Sequence, residues 1–369
     1  MQPLPKLTSM NAFDDTMEFT LENIEMSFAN ALRRTILSDV PVYCFMTYPE
    51  KENQCTIDVN TSRFNNEIIK QRLSCIPVHI KDSDFPLETY ELIVEKENTS
   101  SNIMYVTTED FQIRNVVNDK YLSDDSVRKI FPAHKKTKQF IDFIRLRPKI
   151  SDEIPGEQIS LRAKFSRANA KVDGMFNVVS TCSYGQTMDH VQVDKVWSAK
   201  EKEMRNKQMD ELDIANEKKN FMLLDAERIT KTNSYDFIIE TVGIYENAEL
   251  VKHACLILQT KFQHLKTMLQ EDEVKIQESQ TTMEHCFDVK LTNEDYTIGK
   301  CVEYMMHTKY ITQENVLTFC GFKKFHPHDD FSIIRLAYVE KVTMGEIKQH
   351  MSNSCDAIIE VFQHISNLF

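Results

Sequence analysis

Residues 28–37 read FANALRRTIL, an otherwise apolar helical decamer with two adjacent arginines at its centre. Phe28, Leu32 and Ile36 fall on one i, i+4 row, the mark of a helix with a buried face. The opposite side carries Asn30, Arg34 and Leu37, and Arg33 lies between the two faces. This spacing predicts a helix covered on both sides. Ser27 stands where an N-cap would, and Pro41 forces Val40 into extended backbone, which places the helix end near Ser38 or Asp39. An arginine held against protein usually meets a carboxylate in a forked, charge-assisted pair. This chain or a partner has to supply that acid.

The row recurs in YTIGKCVEYMMH, residues 296–307, where Ile298, Val302 and Met306 repeat it and Thr297 takes the place of Ser27. The arginines do not recur, since Glu303 and Tyr304 stand in their places. Two longer amphipathic helices are also expected. One, in residues 244–270, has Ala248, Val251, Cys255, Leu258, Phe262, Leu265 and Leu269 at alternating steps of three and four. The other carries Met344, Ile347, Met351, Cys355, Ile358, Phe362, Ile365 and Phe369. Each follows a strand-like run, SYDFIIETVG (234–243) and FSIIRLAYV (331–339). An order that occurs twice suggests a pseudo-twofold pair of modules joined face to face, only the first bearing a cationic patch. The expected seam consists of Phe28, Leu32, Ile36, Leu258, Phe262, Leu265, Ile298, Val302, Met306, Ile358, Phe362 and Ile365.

The fold class is therefore α+β, with the first module (1–49 and 230–270) interrupted by an insert over residues 50–190. The insert reads as mainly β, from the runs LETYELIVEK, IMYVTTEDFQI, QFIDFIRLR, EQISLRAKF and MFNVVSTCSYG. Residues 191–229, dense in both charges and poor in breakers, read as a helical connector. Residues 271–285 read as a linker to the second module, 286–369. Extended, that linker reaches about 50 Å, enough for the modules to pair within one chain.

Composition narrows the function. A net charge of -12 argues against an autonomous nucleic-acid binder, because phosphate contact needs clustered Lys and Arg. Nine scattered cysteines without a C-x-x-C fit reduced thiols in a cytosol-like compartment. The opening MQPLPKLTSMNAFDD lacks an apolar signal core, and no run reaches membrane-spanning length, so a soluble, cytoplasmic protein is expected. With seven glycines, no phosphate loop and no nucleophile elbow, no catalytic residue and no cofactor are expected. HPHDD (326–330) reads as a turn, and Lys135, Lys136 and Lys138 as a solvated loop. The alternatives are a free-standing Cys/His-dependent enzyme and a nucleic-acid-binding module.

NALRRTILSDVP resembles the signature of the alpha-subunit family of multisubunit RNA polymerases, which includes bacterial alpha and the third eukaryotic subunit. FNNEIIKQRLSCIPV (64–78) resembles the family segment in which an acidic residue, an apolar pair and Arg-Leu precede a short Ile-Pro strand. NEDYTIGK (293–300) and GFKKFHPHDDFSIIRL (321–336) are similar to the eleventh eukaryotic subunit and its archaeal counterpart. The resemblance implies a fusion of the third and eleventh subunits, an arrangement found in large cytoplasmic DNA viruses, which places the protein in host cytoplasm and virion. It further implies a noncatalytic scaffold for transcription that docks the beta-like second-largest and beta-prime-like largest subunits, with small subunits alongside and DNA met only through the complex. On the same resemblance Asn30, Arg33 and Arg34 would dock the beta-like subunit. Cellular third subunits often carry a cysteine cluster in the insert. Here Cys55, Cys75 and Cys182 are dispersed, and no metal is expected.

Overall fold

The structure is a computed structural model that describes residues 4–151 and 153–369. The chain gathers into two compact units, one of residues up to Ile36, Thr181–Glu240 and Asn247–Phe369, the other of Leu37–Ser180 and Thr241–Glu246.

In chain order the first unit opens with a hairpin, β1 (Lys6–Phe13) and β2 (Thr16–Glu22), followed by α1 (Met26–Ser38). The second unit then contributes β3 (Val42–Cys44), β4 (Cys55–Asn60), α2 (Asn66–Ser74), β5 (Tyr90–Glu97), β6 (Met104–Thr107), β7 (Gln112–Asn115), β8 (Lys120–Tyr121), α3 (Asp124–Ile130), β9 (Asp142–Leu146), β10 (Gln158–Lys164) and β11 (Ser166–Ala168). After these come β12 (Val179–Met188), α4 (His190–Asn206), α5 (Glu211–Leu223), β13 (Thr230–Thr241) and α6 (Asn247–Gln270). The remaining elements are β14 (Lys275–Glu278), β15 (Cys286–Thr292), α7 (Tyr296–Met306), β16 (Leu317–Lys323), β17 (Phe331–Tyr338) and α8 (Met344–Ser366).

Two four-stranded sheets of the first unit share one topology, β1-β2-β13-β12 and β14-β15-β17-β16. β2 and β15 each lead into a short helix, and β13 and β17 each into a long one. Strand alternation sets the inner faces. Met17, Phe19 and Leu21 of β2 are buried, and Phe19 lies opposite Phe237 of β13 with the two rings stacked 4.9 Å apart. In the second sheet Val289 lies opposite Ile334, and Phe287 opposite Leu336. α6 packs along α8, where Phe262 stacks on Phe362 and Lys266 reaches Asp356 at 2.6 Å. α4 and α5 form a helical hairpin with an apolar cluster that includes Trp197, Met204, Ile214 and Phe221.

The second unit is built on an antiparallel sheet ordered β4-β10-β5-β7-β8. Its core includes Phe45, Phe111, Phe131, Phe143 and Phe165. α2 is N-capped by Asn65, whose side chain accepts from the Ile68 N–H, and Arg72 of α2 donates to the Asp142 and Phe143 carbonyls.

Several expectations change. The β-rich unit comprises Leu37–Ser180 with Thr241–Glu246, rather than 50–190: β3 pairs with β11, and the Tyr245 hydroxyl donates to the Pro41 carbonyl. The segment 191–229 is helical, as expected of a connector, but it is two helices that bury Trp197 and Phe221 in a shared apolar cluster. The linker 271–285 is partly a strand: β14 pairs with β15, setting Ile276 opposite Val289. Ser27 is not an N-cap, since α1 already begins at Met26 and the Glu25 carboxylate accepts both the N–H and the hydroxyl of Ser27. Residues 326–330 turn between β16 and β17, and the His326 N–H donates to Asp329 at 2.9 Å.

Helix propensity and packing conflict at Gly299 of α7, where an added Cβ would lie 1.9 Å from the Phe322 ring. Alanine is the better helix former by about 1 kcal/mol. Overpacking against a buried ring typically costs about 1–3 kcal/mol, so Gly299→Ala should lower stability in a denaturant melt. A more stable variant would mean that Phe322 can move aside freely.

Candidate docking face on the first short helix

All twelve residues expected in the seam are buried. Phe28 of α1 sets its ring edge-on to Tyr304 of α7 and tilted against Phe362 of α8, each at 5.7 Å. The Cys301 thiol of α7 lies 3.6 Å from the Ser27 carbonyl of α1. The helix is thus covered on its apolar row, as the spacing requires.

The acid for the first-module arginines comes partly from the chain itself. Arg34 donates from Nη2 to Asp295 Oδ2 at 2.6 Å and from Nε to the Thr297 hydroxyl at 2.9 Å. Asp295 is the N-cap of α7, and its other oxygen accepts the Thr297 N–H at 2.8 Å. Arg34 therefore ties α1 to the first turn of α7 while its side chain stays partly exposed. Arg33 differs. Its Nε and Nη2 both donate to Asn30 Oδ1, at 3.1 and 3.0 Å, and no carboxylate pairs with it among the described residues. Asn30 orients a half-buried cation whose charge remains available.

Beside this patch a groove of about 590 Å³ opens between α1, α7 and β12, lined in part by Glu25, Asn30, Tyr184, Tyr296, Lys300 and Tyr304. Sequence reading missed Glu25, Tyr184 and Asp295. A register comparison of E-x-S at 25–27 with D-x-T at 295–297 could have found the two acids. Nothing local marks Tyr184.

Burial pushes the thiols of Cys44, Cys182 and Cys355 up to about 12, and at Cys182 the nearby Arg33 guanidinium offsets this only in part. A thiol held that high supplies no thiolate nucleophile near neutral pH. Among the described residues no group of three His, Cys, Asp or Glu is placed to hold a metal ion.

The two arginines should separate in stability measurements. Arg34→Met removes a partly exposed ion pair and a hydroxyl contact, for an expected loss of about 1 kcal/mol in the isolated chain. Arg33→Met should change stability by less than about 0.5 kcal/mol, as surface substitutions do. Equal losses in urea melts would contradict this division.

Residues 18–262, which run from β2 into α6, match the family described as the RNA polymerase Rpb3/Rpb11 dimerisation domain. The chain is 34% identical over 87 residues to DNA-directed RNA polymerase subunit Rpo3 of Pyrococcus horikoshii, covering 24% of this chain and 31% of that protein. It is 38% identical over 77 residues to DNA-directed RNA polymerases IV and V subunit 3B of Arabidopsis thaliana, covering 21% and 22%. Against DNA-directed RNA polymerases I and III subunit RPAC1 of Mus musculus it is 24% identical over 292 residues, covering 67% and 80%. The match to the archaeal relative thus spans about a third of that protein's length. With most of its length matched, the chain belongs to the RNA polymerase Rpb3/Rpb11 dimerisation domain family.

Proposed function

We propose that the chain is a noncatalytic assembly subunit of a DNA-directed RNA polymerase, in which third- and eleventh-subunit-like halves form an alpha-like pseudo-dimer within one polypeptide. The observation that carries this reading is the repeated sheet order, β1-β2-β13-β12 and β14-β15-β17-β16, each followed by a long helix, with α6 packed along α8. The family match ends at residue 262, so the eleventh-subunit character of 286–369 rests on that repeat and on NEDYTIGK and GFKKFHPHDDFSIIRL. In this reading residues 37–180 are the insert of the third-subunit-like half.

Asn30, Arg33 and Arg34 dock the beta-like second-largest subunit, and Arg34 also ties the first short helix to the second. The beta-prime-like largest subunit and small subunits complete the assembly, which carries the active site. The viral setting, with residence in host cytoplasm and virion, remains part of this proposal and is supported by the single-chain arrangement. Affinity purification of the intact chain from its native source, followed by identification of the bound chains, tests the function. Large polymerase subunits are expected. A homogeneous chain with turnover of its own, or with strong salt-dependent DNA binding, would overturn the reading.

Metal independence is a separate expectation, motivated by Cys55, Cys75 and Cys182 lacking ligand spacing. Protein purified without added metal should contain no stoichiometric zinc, and chelator should leave its melting temperature unchanged, because stripping a structural site removes folding energy. One zinc per chain in elemental analysis would refute it.

A further inference from the structure

Aligning the two short helices by their buried rows sets Glu25 with Asp295, Ser27 with Thr297, and Arg34 with Tyr304. On one side of the α1/α7 contact the set is complete: an arginine of one helix meets the acid and hydroxyl that begin the other. On the related side the arginine is missing. Tyr304 stands in its place with its ring edge-on to Phe28, and the groove of about 590 Å³ opens there.

The charges of that groove are unevenly satisfied. Lys300 is paired with Glu303, and Arg34 with Asp295. The Glu25 carboxylate accepts only the N–H and hydroxyl of Ser27, both on Oε2, and makes no ion pair among the described residues. Three tyrosines, Tyr184, Tyr296 and Tyr304, share the lining with this carboxylate. Aromatic faces beside a carboxylate favour a planar cation, which stacks and donates in the same pose. A phosphate would meet Glu25 unfavourably, and an apolar side chain would leave that charge desolvated.

We propose that this groove receives an arginine side chain presented by a polypeptide partner, with Glu25 as its acid, so that the partner supplies the guanidinium missing from the second short helix. That the partner is a polymerase subunit rests on the function proposed above, whereas the guanidinium chemistry does not.

The test is a titration of the intact chain with N-acetyl-arginine amide and with its neutral isostere N-acetyl-citrulline amide, followed through tyrosine ring signals by NMR. The arginine compound should saturate at about millimolar concentration, with citrulline at least tenfold weaker. Glu25→Gln should erase the difference. Because Glu25 also holds Ser27, a second variant guards against misfolding: Tyr304→Arg should fill the groove from within and abolish the response to arginine amide. Equal responses to the two compounds, no response to either, or an unchanged preference in the folded variants would overturn the proposal. Arginine binding by a chain that captures no polymerase subunit would retain the groove and remove the polymerase reading. Capture without arginine preference would do the reverse.

Discussion

Aspartate at both Ile358 and Phe362 should unfold the first unit or split it, whereas cutting the chain between Asp272 and Glu273 should do neither. Both side chains are fully buried in α8, and Phe362 contacts rings from α1 and α6. Each loses its apolar burial and leaves an unpaired carboxylate, at a cost of about 3–5 kcal/mol. Two such changes approach the roughly 5–15 kcal/mol by which a domain is stable. The backbone link contributes far less: it sets an effective concentration of about millimolar without adding a contact. Residues 1–272 and 273–369, separated at an engineered protease site, should therefore co-elute in gel filtration. The doubly substituted chain should elute as separate or unfolded pieces after the same cut. Two stable monomers from the unsubstituted chain would show that the halves do not need each other, and the pseudo-dimer would be withdrawn.

Loss of Arg33 should act on assembly and spare the fold. Removing one member of a buried charged pair across an interface costs about 2–5 kcal/mol, or roughly 30- to 5,000-fold in affinity. Arg33→Ala should lose the second-largest subunit in tagged capture to this extent, while its circular dichroism and melting curve match the parent. Arg34→Ala should weaken capture less and stability more, because its guanidinium is committed to Asp295 and Thr297. Normal assembly by a folded Arg33→Ala chain would end the docking role of Asn30 and Arg33.

Periodicity made the helices legible because a buried face imprints itself every three or four residues, independently of what covers it. Phe28, Leu32 and Ile36, and the stripe from Val251 to Leu269, needed no knowledge of partners. Three things escaped. The acid facing Arg34 is 261 positions away, a separation that no local window spans. The edge strand Lys275–Glu278 hid in a polar segment because an edge strand can be solvated and need not alternate. The groove was invisible since it arises where a residue is missing from a repeat, and Tyr184 joins it from a strand of ordinary pattern. Ser27 was misread for a smaller reason: an acid two residues earlier takes its hydroxyl.

The distance along the chain between Arg34 and Asp295 also sets an order of events during synthesis. At about 5–20 residues per second, Asp295 is added roughly 13 to 50 s after Arg34. All of residues 37–180 are made in the meantime, so α1 is among the first helices to emerge and among the last to be covered. Throughout that interval Phe28 lacks its contacts with Tyr304 and Phe362, and Arg34 lacks its acid. Two chains growing on neighbouring ribosomes can then exchange partners, Arg34 of one meeting Asp295 of the other, with the short turn between α6 and β14 as the hinge. Native mass measurements on rapidly and slowly expressed protein would reveal such a species as a dimer that dilution dissolves only slowly. It would hold every contact of the monomer and differ only in which copy supplies them.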